Sequence, residues 1–214
     1  MSYRIIIADD QPVVRHGTAY LIKDIIPLSN IYQTEDLAGT IELLKTQSAD
    51  LLIFDINMPG GESINAINII KAIQPHIRIL VFSAYKEDLY AVRYIKAGAN
   101  GYLNKNCAES EIKLALMSVI ERGRYISENV SHQLMSGISQ DTGAVTPGKL
   151  KQLSNRETEV AALLVKGFGL LEISNQLNIQ MSTASTYKTR LFEKLGVSNV
   201  AELITLFQIN QIAV

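Results

Sequence analysis

Asp9, Asp10, Asp55, Ser83 and Lys105 are the residues of this chain whose types and spacing could do chemistry together. Each falls just after a short apolar run that reads as a strand. Three carboxylates, a hydroxyl and an ammonium would then meet at one edge of a sheet. Carboxylates crowded in this way repel one another. A hard cation that takes oxygen ligands relieves the repulsion, and Mg²⁺ suits two carboxylates, a carbonyl and waters. A carboxylate held beside such a cation can attack a phosphoryl group in line and form an acyl phosphate. The cation, a hydroxyl and a lysine can then neutralise the phosphoryl oxygens. No one of these residues is informative alone, since acidic pairs often end strands and most lysines are simply solvated. Their combined order carries the signal.

The elements that must position them follow from periodicity. Tyr3 to Ala8 reads as a buried strand, and Val13 to Ile26 as a helix with Val14, Leu21, Ile22 and Ile25 on one face. A weak strand around Ile31 and a helix from Leu37 to Leu44 follow. Strands over Leu51–Phe54, Ile77–Phe82 and Gly101–Leu103 alternate with helices over Ile64–Ile73, Leu89–Ala97 and Glu109–Ile120. Five strands, each followed by a helix, imply right-handed crossovers and a parallel sheet covered on both faces. The expected fold is an α/β flavodoxin-like domain, in which ligands bind at the carboxyl ends of the strands.

Bulk properties set outer bounds. The chain has 214 residues, of which 47% are hydrophobic and 19% charged, so one large or two small globular domains are expected. Apolar runs are too short to span a bilayer, and no signal-peptide pattern opens the chain, so a cytoplasmic location is the default. The one cysteine, Cys107, cannot close an intramolecular disulfide. It is either a packed thiol or a redox sensor. The net charge is −1, with residues 1–120 at −2 and residues 147–214 at +2, a balance that permits nucleic-acid binding without demanding it.

The character changes after residue 122, where Ser, Gly and Pro interrupt any long pattern. A short helix near Val130–Met135 and then a flexible linker are expected. The domain reading is therefore 1–122, a linker over 123–149, and a small all-α domain over 150–214. Ser154 and Glu157 have capping-box spacing, which starts a helix through Leu164. Gly167-Phe168-Gly169 breaks it, and Glu172–Leu177 forms a second helix. Ser182 is expected to cap a third through Leu195, with Ala184, Tyr187, Leu191 and Leu195 on one face. A fourth runs from Ala201 to Ile209. Two short helices, a tight turn and a third capped helix make a helix-turn-helix pattern.

Ile7-Ala8-Asp9-Asp10-Gln11-Pro12, Asp55-Ile56-Asn57-Met58-Pro59-Gly60-Gly61, Ser83-Ala84, and Gly98 through Lys105 resemble the motifs of a response-regulator receiver domain. The resemblance implies that Asp55 is the phosphoacceptor. Asp9 and Asp10 would form the acidic pocket for Mg²⁺, joined by Asp55 and the backbone carbonyl of Asn57. Lys105 would pair with the phosphoryl oxygens, Ser83 would move toward them, and Tyr102 would be the switch aromatic that turns inward. The face built from Leu89–Ala97, the last strand and Glu109–Ile120 would be the readout. Gln11 stands where this subfamily often has His.

The tail resembles the LuxR-type domain of the NarL/FixJ response regulators, through Leu153 to Val160, Gly167, Glu172-Ile173, Leu177 and Lys194-Leu195-Gly196-Val197. With the receiver, the resemblance spans nearly the whole chain. It implies a transcription regulator, not a conventional enzyme, that takes its phosphoryl group from a sensor histidine kinase and binds DNA as a homodimer. DNA-facing residues would come from Ser182, Thr183, Ser185, Thr186, Lys188, Thr189 and Arg190. The chain departs from the family pattern here: Ser185 replaces a groove-facing lysine, and Tyr187 replaces a histidine. Tyr187 is equally placed for the core or for a phosphate. Two competing readings stand beside this one. The first is an acyl-phosphate hydrolase with Asp55 as nucleophile; the second is a regulator acting by protein contact without phosphate or without DNA.

Overall fold

The computed structural model describes residues 2–61, 63–138 and 153–209, and the chain divides into two compact units, 1–140 and 141–214. In the first unit, strands β1 (Tyr3–Ala8), β2 (Ser29–Thr34), β3 (Leu51–Phe54), β4 (Arg78–Ser83) and β5 (Gly101–Asn104) form one sheet in the order β2-β1-β3-β4-β5. Every pairing is parallel. Helices α1 (Pro12–Ile25), α2 (Leu37–Thr46), α3 (Asn65–Ile73), α4 (Glu87–Lys96) and α5 (Glu109–Arg122) make the crossovers.

Alternation along each strand feeds two cores, because successive side chains point to opposite faces. Ile6, Ala8, Leu52, Phe54, Ile79, Val81 and Tyr102 join the cluster that also holds buried residues of α2, α3 and α4. Ile5, Ile7, Leu51, Ile53, Leu80, Phe82 and Leu103 join the cluster that includes Ile22 of α1 and Leu116 and Val119 of α5. Burial on both faces explains why these strands read as unbroken apolar runs.

The first residues of the expected linker, from 123, belong to the first compact unit. Residues 123–127 are laced to the sheet, with Tyr125 donating its N–H to Asn100 and Asn100 Nδ2 donating to the carbonyl of Gly123. Helix α6 (Glu128–Ile138) follows and packs against α4. Ile126, Val130 and Leu134 join the same core as Tyr90 and Tyr94. The first unit thus runs past 122 to about the end of α6, because the apolar stripe of that helix is covered there. Part of the expected readout face, the α4 side, is accordingly occupied by the chain's own α6. The rest of the expected linker, 139–149, lies outside the described residues.

The second unit consists of α7 (Asn155–Val165), α8 (Leu170–Gln176), α9 (Met181–Leu195) and α10 (Val200–Ile209) around a separate core. Val160, Leu164, Ile173, Ala184, Leu191, Leu195, Leu203 and Phe207 are buried in it. The capping box at α7 is present: Ser154 Oγ accepts from the Glu157 N–H, and Glu157 Oε2 accepts from the Ser154 N–H at 2.7 Å. Ser182 does not cap α9. Gln180 holds that position with no side-chain capping bond, and Asn178, in the left-handed region at φ 52°, makes the turn that precedes it. Ser182 falls inside the first turn instead.

Glu157 does more than cap. Its buried carboxylate also lies 2.6 Å from Lys194 of α9, so one acid joins the first and third helices of the unit. Burial by itself would raise its pKa, but the hydrogen bonds from Lys194 and Ser154 outweigh burial and hold it below the ordinary 4.5. A depressed carboxylate contributes stability above its ordinary pKa, and the contribution is lost as pH falls through the folded-state value. Replacing Glu157 with Ala is expected to cost this unit about 2–3 kcal/mol, since it removes a cap and strands the Ser154 N–H. Glu157→Gln should flatten the loss of stability below pH 4.5. Hydrogen exchange of the α7 amides across roughly pH 3–7, the range over which carboxylate linkage acts, measures both effects.

Candidate functional site

The strand order turns at β1, since β2 lies on one side of it and β3 on the other. Ligands of open α/β sheets bind outside the strand ends at such a point. Paired residues keep those ends level: Ala8 opposes Phe54, Phe54 opposes Val81, and Val81 opposes Tyr102. The next residues therefore emerge side by side. Asp55 donates its N–H to Ala8 at 2.8 Å, and Lys105 donates its N–H to Ser83 at 2.8 Å, which extends the ladder into the site.

Carboxylate oxygens of Asp9, Asp10 and Asp55 lie within 4.8 Å of one another. Asp9 and Asp55 are buried at 2% and 1% exposure, while Asp10 faces solvent. Lys105 bridges the two buried acids, with its Nζ 2.6 Å from Asp9 Oδ2 and 2.7 Å from Asp55 Oδ2. Gln11 N–H donates to Asp9 Oδ1, and Asn57 N–H donates to Asp55 Oδ1 at 2.9 Å. Burial raises the Asp55 pKa, and the Lys105 ammonium opposes that shift without cancelling it. Burial would lower Lys105, but hydrogen bonds to Asp55 and Asp9 raise it overall. One buried cation thus faces more than one buried anion. That arrangement favours any further cation able to accept carboxylate oxygens.

The segment after β3 is held by its own backbone. Gly61 N–H donates to Met58, and Leu37 N–H donates to Pro59 at 3.0 Å. A Cβ on Gly61 would stand 3.0 Å from the Asp55 carbonyl oxygen, so only glycine fits there without a shift. Asn57 is half-buried, and its side-chain carbonyl accepts from the Tyr85 hydroxyl at 2.6 Å.

Ser83 and Tyr102 meet behind the acids. Ser83 is fully buried, and its Oγ accepts from the Tyr85 N–H at 3.2 Å. Tyr102 is 2% exposed and donates its hydroxyl to the Tyr85 carbonyl at 3.0 Å. Burial pushes the Tyr102 phenol well above its usual range, a shift that a hydrogen bond with Ser83 lessens. The Tyr102 ring therefore lies inside the core. Burial, with Glu111 nearby, pushes the Cys107 thiol up to about 11, so little thiolate is present for redox chemistry near neutral pH.

On α9, the exposed residues Ser182, Ser185, Thr186, Thr189 and Arg190 recur at one-face helical spacing. Ala184, Leu191 and Leu195 occupy the opposite, buried face. Thr183 and Lys188 are half-buried at the margins, and Tyr187 packs partly against the core. A depression of about 580 Å³ gathers Ser185, Lys188 and Thr189 with Leu170 and Phe192. The Lys188 ammonium sits 5.4 Å above the Phe192 ring. Two cations of this unit are engaged elsewhere, because Arg156 pairs with Glu159 and Lys194 with Glu157. Lys166, Lys188 and Arg190 remain among the described residues of this unit as cations outside those ion pairs.

The sequence motifs did not single out Tyr85, Asn104 or the Glu157–Lys194 pair. Asn104 Nδ2 donates to the Tyr85 carbonyl at 2.8 Å. A tyrosine two residues after a strand-end serine carries no distinctive pattern, and the ion pair joins residues 37 apart in sequence.

Comparison with known proteins places these features in two families. Residues 5–117 match the family described as response regulator receiver domain, and residues 151–207 match bacterial regulatory proteins, luxR family. The chain is 32% identical over 201 residues to the Fimbriae Z protein of Escherichia coli strain K12, covering 94% of this chain and 93% of that protein. It is 29% identical over 203 residues to the response regulator GacA of Pseudomonas aeruginosa, covering 95% and 94%. Among solved structures it resembles RcsB from Salmonella enterica serovar Typhimurium bound to promoter rprA, with 28% identity, a TM-score of 0.57 and coverage of 97% and 99%. A structure of two RcsB dimers bound to two parallel DNAs is similar at 29% identity and a TM-score of 0.59, covering 97% of this chain and 98% of that one.

Proposed function

Because the chain belongs to the bacterial response regulators that join a receiver domain to a luxR-family regulatory domain, we propose that Asp55 accepts a phosphoryl group from a sensor histidine kinase and that its state controls sequence-specific DNA binding through α9. The observation that carries this reading is the buried Lys105 bridge between Asp9 and Asp55, with Asp10 beside it. The receiver ends with α6, and the DNA-binding domain occupies the second unit.

The pocket offers only hard oxygen donors, one of them on solvent-exposed Asp10, which suits Mg²⁺. Asp9, Asp10, Asp55 and the backbone carbonyl of Asn57 would hold it. When bound there, Mg²⁺ supplies positive charge against the carboxylates and the phosphoryl oxygens. An Asp55 oxygen attacks phosphorus in line. The new P–O bond to the carboxylate forms as the bond to the donor's leaving group breaks. Asn57 N–H orients the carboxylate by its bond to Oδ1. Lys105, already 2.7 Å from Oδ2, is placed to neutralise the transferred phosphoryl oxygens. Hydrolysis of the same acyl phosphate resets the domain, and this self-reaction is its whole chemistry.

Transmission begins at Ser83. Its Oγ accepts from the Tyr85 N–H, and the carbonyl of the same residue accepts from the Tyr102 hydroxyl, so turning Ser83 toward a phosphoryl oxygen loosens the link to Tyr102. Phosphorylation adds charge and acceptor oxygens, and thereby biases one of two packings around Tyr102 and α4. RcsB is bound to DNA as dimers in the similar structure. A dimer suits this chain too, because one domain presents few cations. Paired half-sites about 34 Å apart, or multiples of that, would double the phosphate contacts. A cytoplasmic location follows from this reading, since both the DNA and the kinase's phosphoryl donor are found there.

Two measurements test the proposal. Incubation with acetyl phosphate and Mg²⁺ should label one site per chain, mapping to Asp55; label elsewhere, or none, defeats the chemistry. Selection of bound fragments from a genomic pool should yield a site that the labelled chain binds more tightly. Binding should fall steeply with salt, as phosphate contacts require. Binding that ignores both label and salt would favour regulation by protein contact.

A further inference from the structure

Tyr85 follows β4 and is 7% exposed. Its ring stacks on Tyr90 with centroids 4.8 Å apart and planes 20° from parallel. Its backbone is tied at both polar atoms. The N–H donates to Ser83 Oγ, and the carbonyl accepts from the Tyr102 hydroxyl and from Asn104 Nδ2. Stacking and three hydrogen bonds make this residue a rigid post at the carboxyl ends of β4 and β5. From that post the phenol reaches across to β3's loop and donates to Asn57 Oδ1 at 2.6 Å, in the short range for an O–H···O bond.

Asn57 is the residue whose N–H orients Asp55 Oδ1. An anchor on its side chain therefore acts on the carboxylate one step removed. We infer that Tyr85 is a positioning residue for phosphorylation of Asp55: its hydroxyl fixes Asn57, and so holds the 55–57 turn in the register that presents the acceptor oxygen and the Asn57 carbonyl. The inference rests on the reading of Asp55 as phosphoacceptor. The phenol does not touch the reacting atoms. It works through Asn57, while the backbone of the same residue holds Ser83 and Tyr102. The acceptor loop and the switch pair thus share one support.

The test is Tyr85→Phe in the full chain, which removes one oxygen and keeps the ring on Tyr90. Losing a net hydrogen bond should slow labelling by acetyl phosphate and weaken Mg²⁺ binding, measured by isothermal titration calorimetry, each by about three- to tenfold. The thermal midpoint should stay near that of the parent. A double-mutant cycle with Asn57→Ala supplies the readout that a general packing role would not move. If the phenol acts through the Asn57 side chain, Tyr85→Phe has no further effect once that side chain is gone. Additive effects of the two substitutions, or unchanged labelling and Mg²⁺ affinity in Tyr85→Phe, overturn the inference. Even if Tyr85→Phe lowers the thermal midpoint, the cycle decides the matter by additivity. A parent chain that does not label at Asp55 counts against the phosphoacceptor reading itself; a labelled parent with an indifferent Tyr85→Phe counts against Tyr85 alone.

Discussion

Asp55→Asn is expected to reduce labelling by acetyl phosphate to background while leaving the receiver folded. The amide is close in shape to the carboxylate but is not a nucleophile toward phosphorus, so the chemical step has no acceptor. Stability should change by no more than about 2 kcal/mol, because two opposing effects nearly offset. Burial disfavours the charged form of Asp55, and the substitution removes that cost. Lys105 loses one of its two partners but keeps Asp9 at 2.6 Å. The amide oxygen can still accept from the Asn57 N–H that now donates to Asp55. Labelling and hydrogen exchange of the β1 and β3 amides, measured on the same preparation, separate lost chemistry from lost fold. Stoichiometric labelling of Asp55→Asn would remove Asp55 from the mechanism.

Lys105→Met should have the larger effect on the fold. It leaves Asp9 and Asp55, both almost fully buried, without the cation that lies between them. Removing one partner of a buried ion pair costs about 3–5 kcal/mol, since the charge left behind is uncompensated. That is a large share of the roughly 5–15 kcal/mol that holds a domain folded. The pH dependence has a definite sign. Asp55 already has a raised pKa from burial, and loss of the opposing ammonium raises it further. A carboxyl whose folded-state pKa is raised contributes stability below its ordinary value of 3.8, and this is lost as pH rises through the folded-state value. Lys105→Met should therefore lose stability relative to the parent as pH rises above 3.8. Added Mg²⁺ should restore part of it, by about 2.7 kcal/mol at a hundredfold excess over its Kd. Denaturant midpoints at several pH values, with and without Mg²⁺, would show this; a variant as stable as the parent without Mg²⁺ would mean that the acids are not held charged together.

Several features were legible because they are local. Strands β1, β3, β4 and β5 are short, largely apolar runs, and burial on both faces makes such a run visible without a partner, whereas the half-exposed β2 gave only a weak signal. Asp9, Asp10, Asp55, Ser83 and Lys105 could be placed at one edge because parallel crossovers return every strand in the same direction. The Ser154–Glu157 box could be read because its two partners lie three residues apart. By contrast, α9 begins earlier than Ser182 because the left-handed Asn178 turns the chain before any capping side chain appears. The place of α6 in the first unit was not legible for a related reason. The polar and small residues around α6 conceal an apolar stripe, and only its cover by α4 shows that the stripe is core.

What the sequence by itself determined is which side chains can do chemistry and at which strand ends they emerge. What only the tertiary structure decided is how they are held: Lys105 bridging Asp9 and Asp55, Glu157 joined to Lys194, and Tyr85 anchored between Asn57, Ser83 and Tyr102. Periodicity and strand-end position are properties of neighbouring residues. A hydrogen bond between residues 28 apart, or an ion pair between residues 50 apart, exists only after the chain has closed the intervening loop, and no local pattern records it.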